Sequence, residues 1–136
     1  MQAISIVGTG YVGLSTAICF ASRGYRVIAS TRDKEKAETI NSKRAPFYEP
    51  RLDEMLRGSV ESKALRAVDT RDEAVIKTDA TFITVGTPET ADGEIDLRHV
   101  VRACEEIGHA LKTKNAYHLV VVKSTVLPGT SGETYP

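Results

Sequence analysis

The sequence has no excess of charge of either sign: its 18 basic and 18 acidic residues cancel. A neutral chain has no overall electrostatic drive toward nucleic acid or an anionic bilayer, although a local basic pocket is compatible with it. Cysteine is scarce, with two in 136 residues. Two cysteines make no disulfide framework, so a reducing, intracellular setting is the default. No apolar run approaches the ~18 residues needed to span a bilayer. The first residues, Met1 to Gly8, carry no basic segment and reach glycine too early for a secretory leader. These absences predict a soluble, cytoplasmic protein with neither nucleic acid nor membrane as partner. There is no internal repeat and no low-complexity tract. Hydrophobic residues make up 41% and charged residues 26%, as in ordinary globular domains. A chain of this length buries about two-thirds of its unfolded surface without staples, which fits one domain.

What is present is an alternation of apolar runs and helix-period segments. Strands are expected over Ala3–Val7, Arg26–Ser30, Leu65–Val68, Thr81–Val85 and His118–Val122, the last Val-rich and buried on both faces. Helices are expected over Tyr11–Arg23 (stopped by Gly24), Asp33–Asn41, Arg51–Arg57 (ended by Gly58), Arg71–Lys77 and Leu97–Leu111, with Asp96 as the last one's N-cap. Ala45–Pro50 and Thr87–Gly93 read as loops. Strands alternating with helices imply βαβ units and a parallel sheet, and right-handed crossovers make it doubly wound. The expected strand order is 3-2-1-4-5. Cys19 and Cys104 fall inside helix patterns and are expected to be small buried residues rather than nucleophiles. His99, His109 and His118 have no metal-ligand spacing with one another or with the cysteines, and Asp92, Glu94 and Asp96 lack a calcium-loop pattern. No metal site is expected.

Gly8-Thr9-Gly10-Tyr11-Val12-Gly13 is a GxGxxG motif that follows a strand directly and opens a helix, the context that gives the motif its meaning. Gly8 permits the tight turn, Gly10 lets a pyrophosphate approach the backbone, and Gly13 lets the helix pack close to the strand. The helix N-terminus offers unpaired N–H groups to the anion. The fold class is therefore α/β, a Rossmann-type doubly wound parallel sheet. A full sheet of this kind has about six strands, so the chain is expected to stop before the sixth. Residues 1–126 form the dinucleotide-binding domain, and 127–136, rich in Gly, Pro, Ser and Thr, form a loop or linker toward further domains. NAD-specific domains place an acid about 20 residues past the glycines to bind the ribose 2′-OH. Here that strand tip reads Ser30-Thr31-Arg32-Asp33. A hydroxyl and a guanidinium suit a 2′-phosphate that a carboxylate would repel, and Lys36 lies one turn further on. The cofactor is NAD or NADP, with NADP favoured. Two alternatives stay open: Arg32 and Lys36 as solvated surface charges, and Asp33 in the acid's role.

Several further segments keep a shared order. Asn41, Pro46-Phe47-Tyr48-Glu49-Pro50 and Leu52 come first. Val85-Gly86-Thr87-Pro88 follows, with Asp92-Gly93 and Asp96-Leu97. Lys123-Ser124-Thr125-Val126 and Pro128-Gly129-Thr130 come last. With the glycine turn, these blocks resemble the UDP-glucose/GDP-mannose dehydrogenase family over nearly the whole chain. The resemblance implies the cofactor-binding domain of a nucleotide-sugar 6-dehydrogenase. Such enzymes oxidise a sugar C6 alcohol to a carboxylate in two hydride transfers, through a cysteine-bound intermediate. Their later domains supply that cysteine, the nucleotide-sugar contacts and a homodimer-forming helix.

On this resemblance Gly8, Gly10, Tyr11, Val12 and Gly13 surround the pyrophosphate. Thr31 replaces the family's ribose-binding Asp, and Lys36 matches a basic residue at the adenosine end. Gly86, Thr87 and Pro88 line the cofactor site. Ser124 and Thr125 lie near the nicotinamide, where the family's threonine supports catalysis by holding a water. Tyr11 either stacks beside the ligand or covers the turn, and Glu49 orders a loop. Lys43 and Arg51 stand where the family often has glycine, so that loop is expected to differ locally. The catalytic-cysteine motif is absent, and the chain alone is expected to bind cofactor without turnover. Two other readings stand beside this one: a stand-alone NAD(P)-binding sensor or regulatory module, and another Rossmann oxidoreductase of the hydroxyacid or 6-phosphogluconate type.

Overall fold

Ala3–Val7, the first strand (β1), is buried at every position. This is the pattern of a central strand covered on both faces, and it explains why the run shows no apolar/polar alternation. In the computed structural model, which describes residues 2–134, β1 lies in a five-stranded sheet of order β3-β2-β1-β4-β5. The other strands are β2 (Arg26–Ser30), β3 (Leu65–Val68), β4 (Ala80–Ile83) and β5 (Leu119–Val122). All neighbours are parallel, with Ile4 opposite Val27 and Ala80. The helices are α1 (Tyr11–Ser22), α2 (Lys34–Asn41), α3 (Leu52–Glu61), α4 (Arg71–Ile76) and α5 (Arg98–Leu111).

Successive β1 side chains point to opposite faces. Ile4 and Ile6 join Leu14, Ile18, Ile40 and Leu56 under α1, α2 and α3. Val7 joins Val75, Ile83, Ala103 and Ile107 under α4 and α5. The polar exception is Ser5, which is fully buried. Its hydroxyl meets Thr81 Oγ1 at 2.6 Å and accepts from Thr78 Oγ1 at 3.1 Å. Thr81 Oγ1 in turn lies 2.7 Å from His118 Nε2, and Lys114 Nζ donates to His118 Nδ1 at 2.9 Å and to the Val75 and Thr78 carbonyls. A hydroxyl chain under the sheet is thus satisfied to its end, as buried polar groups must be. At the other side of the sheet the Asn41 amide pairs with both backbone groups of Ala67. It stands in for the missing neighbour of edge strand β3.

The expected strand order and the two-sided helix layers are observed. Five local expectations are corrected. First, α3 runs on through Gly58 to Glu61. Its buried stripe of Leu52, Leu56 and Ser59 against α1 outweighs the ~1 kcal/mol helix penalty of one glycine. Second, β5 is only partly buried, with Val120 38% exposed, because it pairs with β4 alone among the described strands. Third, β4 ends at Ile83 rather than Val85. Fourth, the N-cap of α5 is Leu97, and Asp96 sits one residue earlier. Its carboxylate accepts from the Arg98 backbone N–H at 3.0 Å and from the Arg98 guanidinium. These bonds hold its pKa down at about 2. Fifth, Cys19 is exposed. The buried face of α1 carries Leu14, Ala17, Ile18 and Ala21, and Cys19 lies about 100° off it. Cys104 is half-buried, and burial, then Glu105, pushes its thiol pKa up. After the Leu127 to Gly129 turn the chain makes one helical turn over Thr130–Thr134. Tyr135 and Pro136 of the expected linker lie outside the described residues.

Candidate functional site

The strand order reverses at β1, whose neighbours are β2 and β4. Ligands of open α/β sheets bind outside the carboxyl ends of the strands at such a point. The glycine turn sits there. Gly8 has φ +104°, and a Cβ on it would come within 2.8 Å of the Thr84 carbonyl oxygen. A Cβ on Gly13 would overlap the Gly8 carbonyl and lie 2.7 Å from Thr84 Oγ1. Gly10 caps α1 with an extended backbone and no side-chain bond, and a Cβ there would meet nothing within 4 Å. The first and third glycines are therefore demanded by the protein's own packing, and the space beside the second is open. The first-turn N–H groups of α1 have no intrahelical acceptor and present positive potential to that space.

Thr84 locks this arrangement. Its hydroxyl lies 3.0 Å from the Val7 carbonyl and 2.9 Å from that of Gly8. The sequence reading passed over Thr84; a hydroxyl closing an apolar strand was the available signal. The turn is also held from outside, because the Tyr11 ring stacks on Phe47 with centroids 4.1 Å apart. Phe47 belongs to the Pro46–Pro50 segment, so that segment braces the turn, and Tyr11 both covers the turn and borders the open space. Thr9 Oγ1 is buried in the turn with no hydrogen-bond partner among the described residues.

A cavity of about 580 Å³ opens from the turn. It brings together Gly8, Gly10, Tyr11, Val12, Thr31, Arg32, Lys36, Gly86, Thr87, Pro88, Ser124 and Thr125. Gly13 is not on its wall; it lies behind, where α1 packs on the strand. Three further cationic or titratable residues, which the sequence did not assign to the site, also line the wall: Arg71, His99 and Lys123. The wall includes no carboxylate.

At the β2 tip, Thr31 is buried and its Oγ1 accepts from the Asp33 N–H at 3.3 Å. The Asp33 carboxylate caps α2 by accepting from the Lys36 N–H at 3.1 Å. That bond employs one carboxylate oxygen of Asp33 in capping α2. Arg32 Nη2 lies 3.1 Å from Glu106 of α5, so it is an engaged side chain rather than a free surface charge. At the opposite end, the Ser124 hydroxyl donates to the Val85 carbonyl at 2.7 Å and ties the end of β5 to the loop after β4. Thr125 is exposed on the cavity wall. Among the described residues no group of three His, Cys, Asp or Glu side chains comes together, and no helix is long and apolar enough to cross a membrane.

Residues 2–135 match the family model described as UDP-glucose/GDP-mannose dehydrogenase family, NAD binding domain. The chain belongs to this family. It is 41% identical over 127 residues to a GDP-mannose 6-dehydrogenase of Pseudomonas syringae pv. tomato, covering 93% of this chain and 29% of that one. A UDP-glucose 6-dehydrogenase of Haloferax volcanii is 41% identical over 128 residues, covering 94% and 29%. Among solved structures, GDP-mannose dehydrogenase from Pseudomonas aeruginosa superposes with TM-score 0.94 at 40% identity, covering 98% of this chain and 30% of that one. UDP-glucose dehydrogenase from Pyrobaculum islandicum gives 0.92 at 44% identity, covering 96% and 30%. The chain thus spans under a third of the length of these relatives. It is a cofactor-binding domain of the nucleotide-sugar dehydrogenases.

Lys43 and Arg51 both adopt the left-handed conformation, each with φ +66°. Two long side chains there hold a backbone shape that glycine suits.

Proposed function

We propose that this domain binds NADP for a nucleotide-sugar 6-dehydrogenase, which oxidises a sugar C6 alcohol to the carboxylate in two hydride transfers. The observation that carries the cofactor preference is the cavity wall, which includes Arg32, Lys36, Arg71 and Lys123 and no carboxylate. NADP brings a phosphate dianion to the ribose end that NAD lacks, and the potential there favours it. The glycine turn fits a dinucleotide on independent grounds, since its two packed glycines leave the open side at Gly10 for an anion.

On this reading the N–H groups at Gly10 to Gly13 hold the pyrophosphate. Thr31, Arg32 and Lys36 hold the 2′-phosphate, and Gly86, Thr87 and Pro88 flank the nicotinamide half. Bound cofactor supplies the hydride acceptor for the alcohol carbon. Ser124, its proton committed to Val85, positions the neighbouring Thr125, whose hydroxyl holds a water near the reacting carbon. Cys19 and Cys104 take no part: both lie on helices, and neither borders the cavity. The nucleotide sugar, the catalytic cysteine and homodimer contacts belong to the longer enzyme.

The test is calorimetric titration with NADP⁺ and, separately, NAD⁺, repeated with Arg32→Ala. Tighter NADP⁺ binding that the substitution abolishes is the expected result. Tighter NAD⁺ binding by the wild-type chain overturns the preference and returns the domain to its family's NAD.

A further inference from the structure

Glu106 on α5 is the meeting point of three guanidiniums. Arg71 Nη1 pairs with its Oε2, and Arg32 Nη2 and Arg102 Nε each lie 3.1 Å from its Oε1. One carboxylate therefore serves three cations. No other carboxylate is bonded to Arg32 or Arg71 among the described residues. Asp33 caps α2, and Asp72 and Glu105 line a second hollow that Arg71 and Glu106 also border. Two of the three arginines, Arg32 and Arg71, also line the cofactor cavity together with Thr31 and Lys36, and Arg102 does not.

Arg71 differs from its companions in burial. Its side chain is 9% exposed, against 43% for Arg32 and 61% for Arg102. Burial lowers its pKa, Glu106 opposes that, and the charges of Arg32 and Arg102 lower it further. Its bond to Glu106 comes from Nη1, so Nε and Nη2 have no protein acceptor among the described residues. An under-neutralised, buried guanidinium with free donors on a cavity wall is built to receive an anion.

We infer that Arg71 is the fixed arm of a two-arginine clamp for the cofactor's 2′-phosphate, with Glu106 as the residue that holds it in place. The inference rests on the NADP reading above. Arg32, more exposed and singly bonded, is the movable arm: it exchanges Glu106 for the phosphate. Arg71 stays on Glu106 and offers its free N–H groups. Three elements distant in sequence, the β2 tip, the start of α4 and the middle of α5, thereby select the cofactor.

The experiment compares adenosine 2′,5′-bisphosphate with adenosine 5′-monophosphate, two probes that differ only in the 2′-phosphate. Binding to the 136-residue chain is measured for wild type, Arg71→Met, Arg71→Lys and, as a charge control, Arg66→Gln, which alters an exposed pair with Glu73. Wild type is expected to prefer the bisphosphate. Arg71→Met is expected to lower bisphosphate affinity by roughly 10-fold or more, the scale of a lost charge-assisted bond, with monophosphate affinity within about 2-fold. Arg71→Lys keeps the Glu106 pair and the fold but loses the planar fork, and is expected to fall between. Arg66→Gln is expected to match wild type. If wild type prefers the bisphosphate and both Arg71 variants keep that preference, the clamp is wrong and the NADP reading survives. Equal loss of both probes in Arg71→Lys likewise overturns the clamp. If wild type shows no preference, the NADP reading falls and the clamp with it.

Discussion

Arg51 immediately precedes the first residue of α3 with φ +66° and ψ −4°, a conformation that an L-residue with a Cβ enters at a penalty of roughly 1 kcal/mol. Nothing in its surroundings repays that penalty: the side chain is exposed and makes no ion pair among the described residues. Lys43 shares the φ value but gains a 3.0 Å pair with Glu61. Arg51→Gly is therefore the cleaner relief. It is expected to stabilise the domain by about 1 kcal/mol, seen as a melting temperature higher by a few degrees. Ser42→Gly, at φ −81°, is expected to bring no gain, since the native backbone there suits any residue. If both variants melt as wild type does, the left-handed turn carries no strain.

At the scale of elements, the floor of the sheet is a polar relay. It runs from Lys114, beyond α5, through His118 before β5 to Thr81 on β4 and Ser5 on β1. An ammonium donates at His118 Nδ1, so that nitrogen carries no proton, and Nε2 is the N–H that faces Thr81. Burial lowers the His118 pKa, the Lys114 charge lowers it further, and a Thr78 backbone hydrogen bond and the Asp79 charge pull the other way. A histidine whose folded pKa is depressed adds stability above its unfolded value, near 6.5, and that contribution is lost as pH falls through the folded value. Urea midpoints are accordingly expected to drop between about pH 7.5 and 5.5, and His118→Gln is expected to flatten that drop. An unchanged pH dependence in the variant would clear His118 of the effect.

The whole molecule is neutral, yet the wall of its main cavity collects four cationic side chains and no carboxylate, two of the four paired to Glu106. Net charge thus says little about the ligand, and charge placement says much. A cofactor with an additional phosphate dianion should feel salt more strongly. Raising ionic strength from about 0.05 to 0.5 M is expected to weaken NADP⁺ binding several-fold more than NAD⁺ binding, because screening shortens to a few ångströms. Parallel salt responses for the two dinucleotides would mean that the ribose end is not read by charge.

The sequence by itself determined the alternation of strands and helices, and with it the strand order, because right-handed crossovers leave few ways to wind five parallel strands. It also determined the glycine turn and the missing acid at Thr31, since those are signals carried by neighbours in the chain. It misjudged where elements meet tertiary surroundings: Gly58 inside α3, Cys19 on the outer face of α1, the exposed edge at β5. Only the tertiary structure added Arg71 and Lys123 to the cations on the cavity wall. Arg32 and Glu106 are 74 residues apart, and Thr84 reaches back 76 residues to Gly8. A parallel sheet sends every strand's carboxyl end to one edge, so residues that follow different strands converge whatever their separation. Loop and helix-end side chains such as Arg71 carry no periodic signature that would announce the meeting.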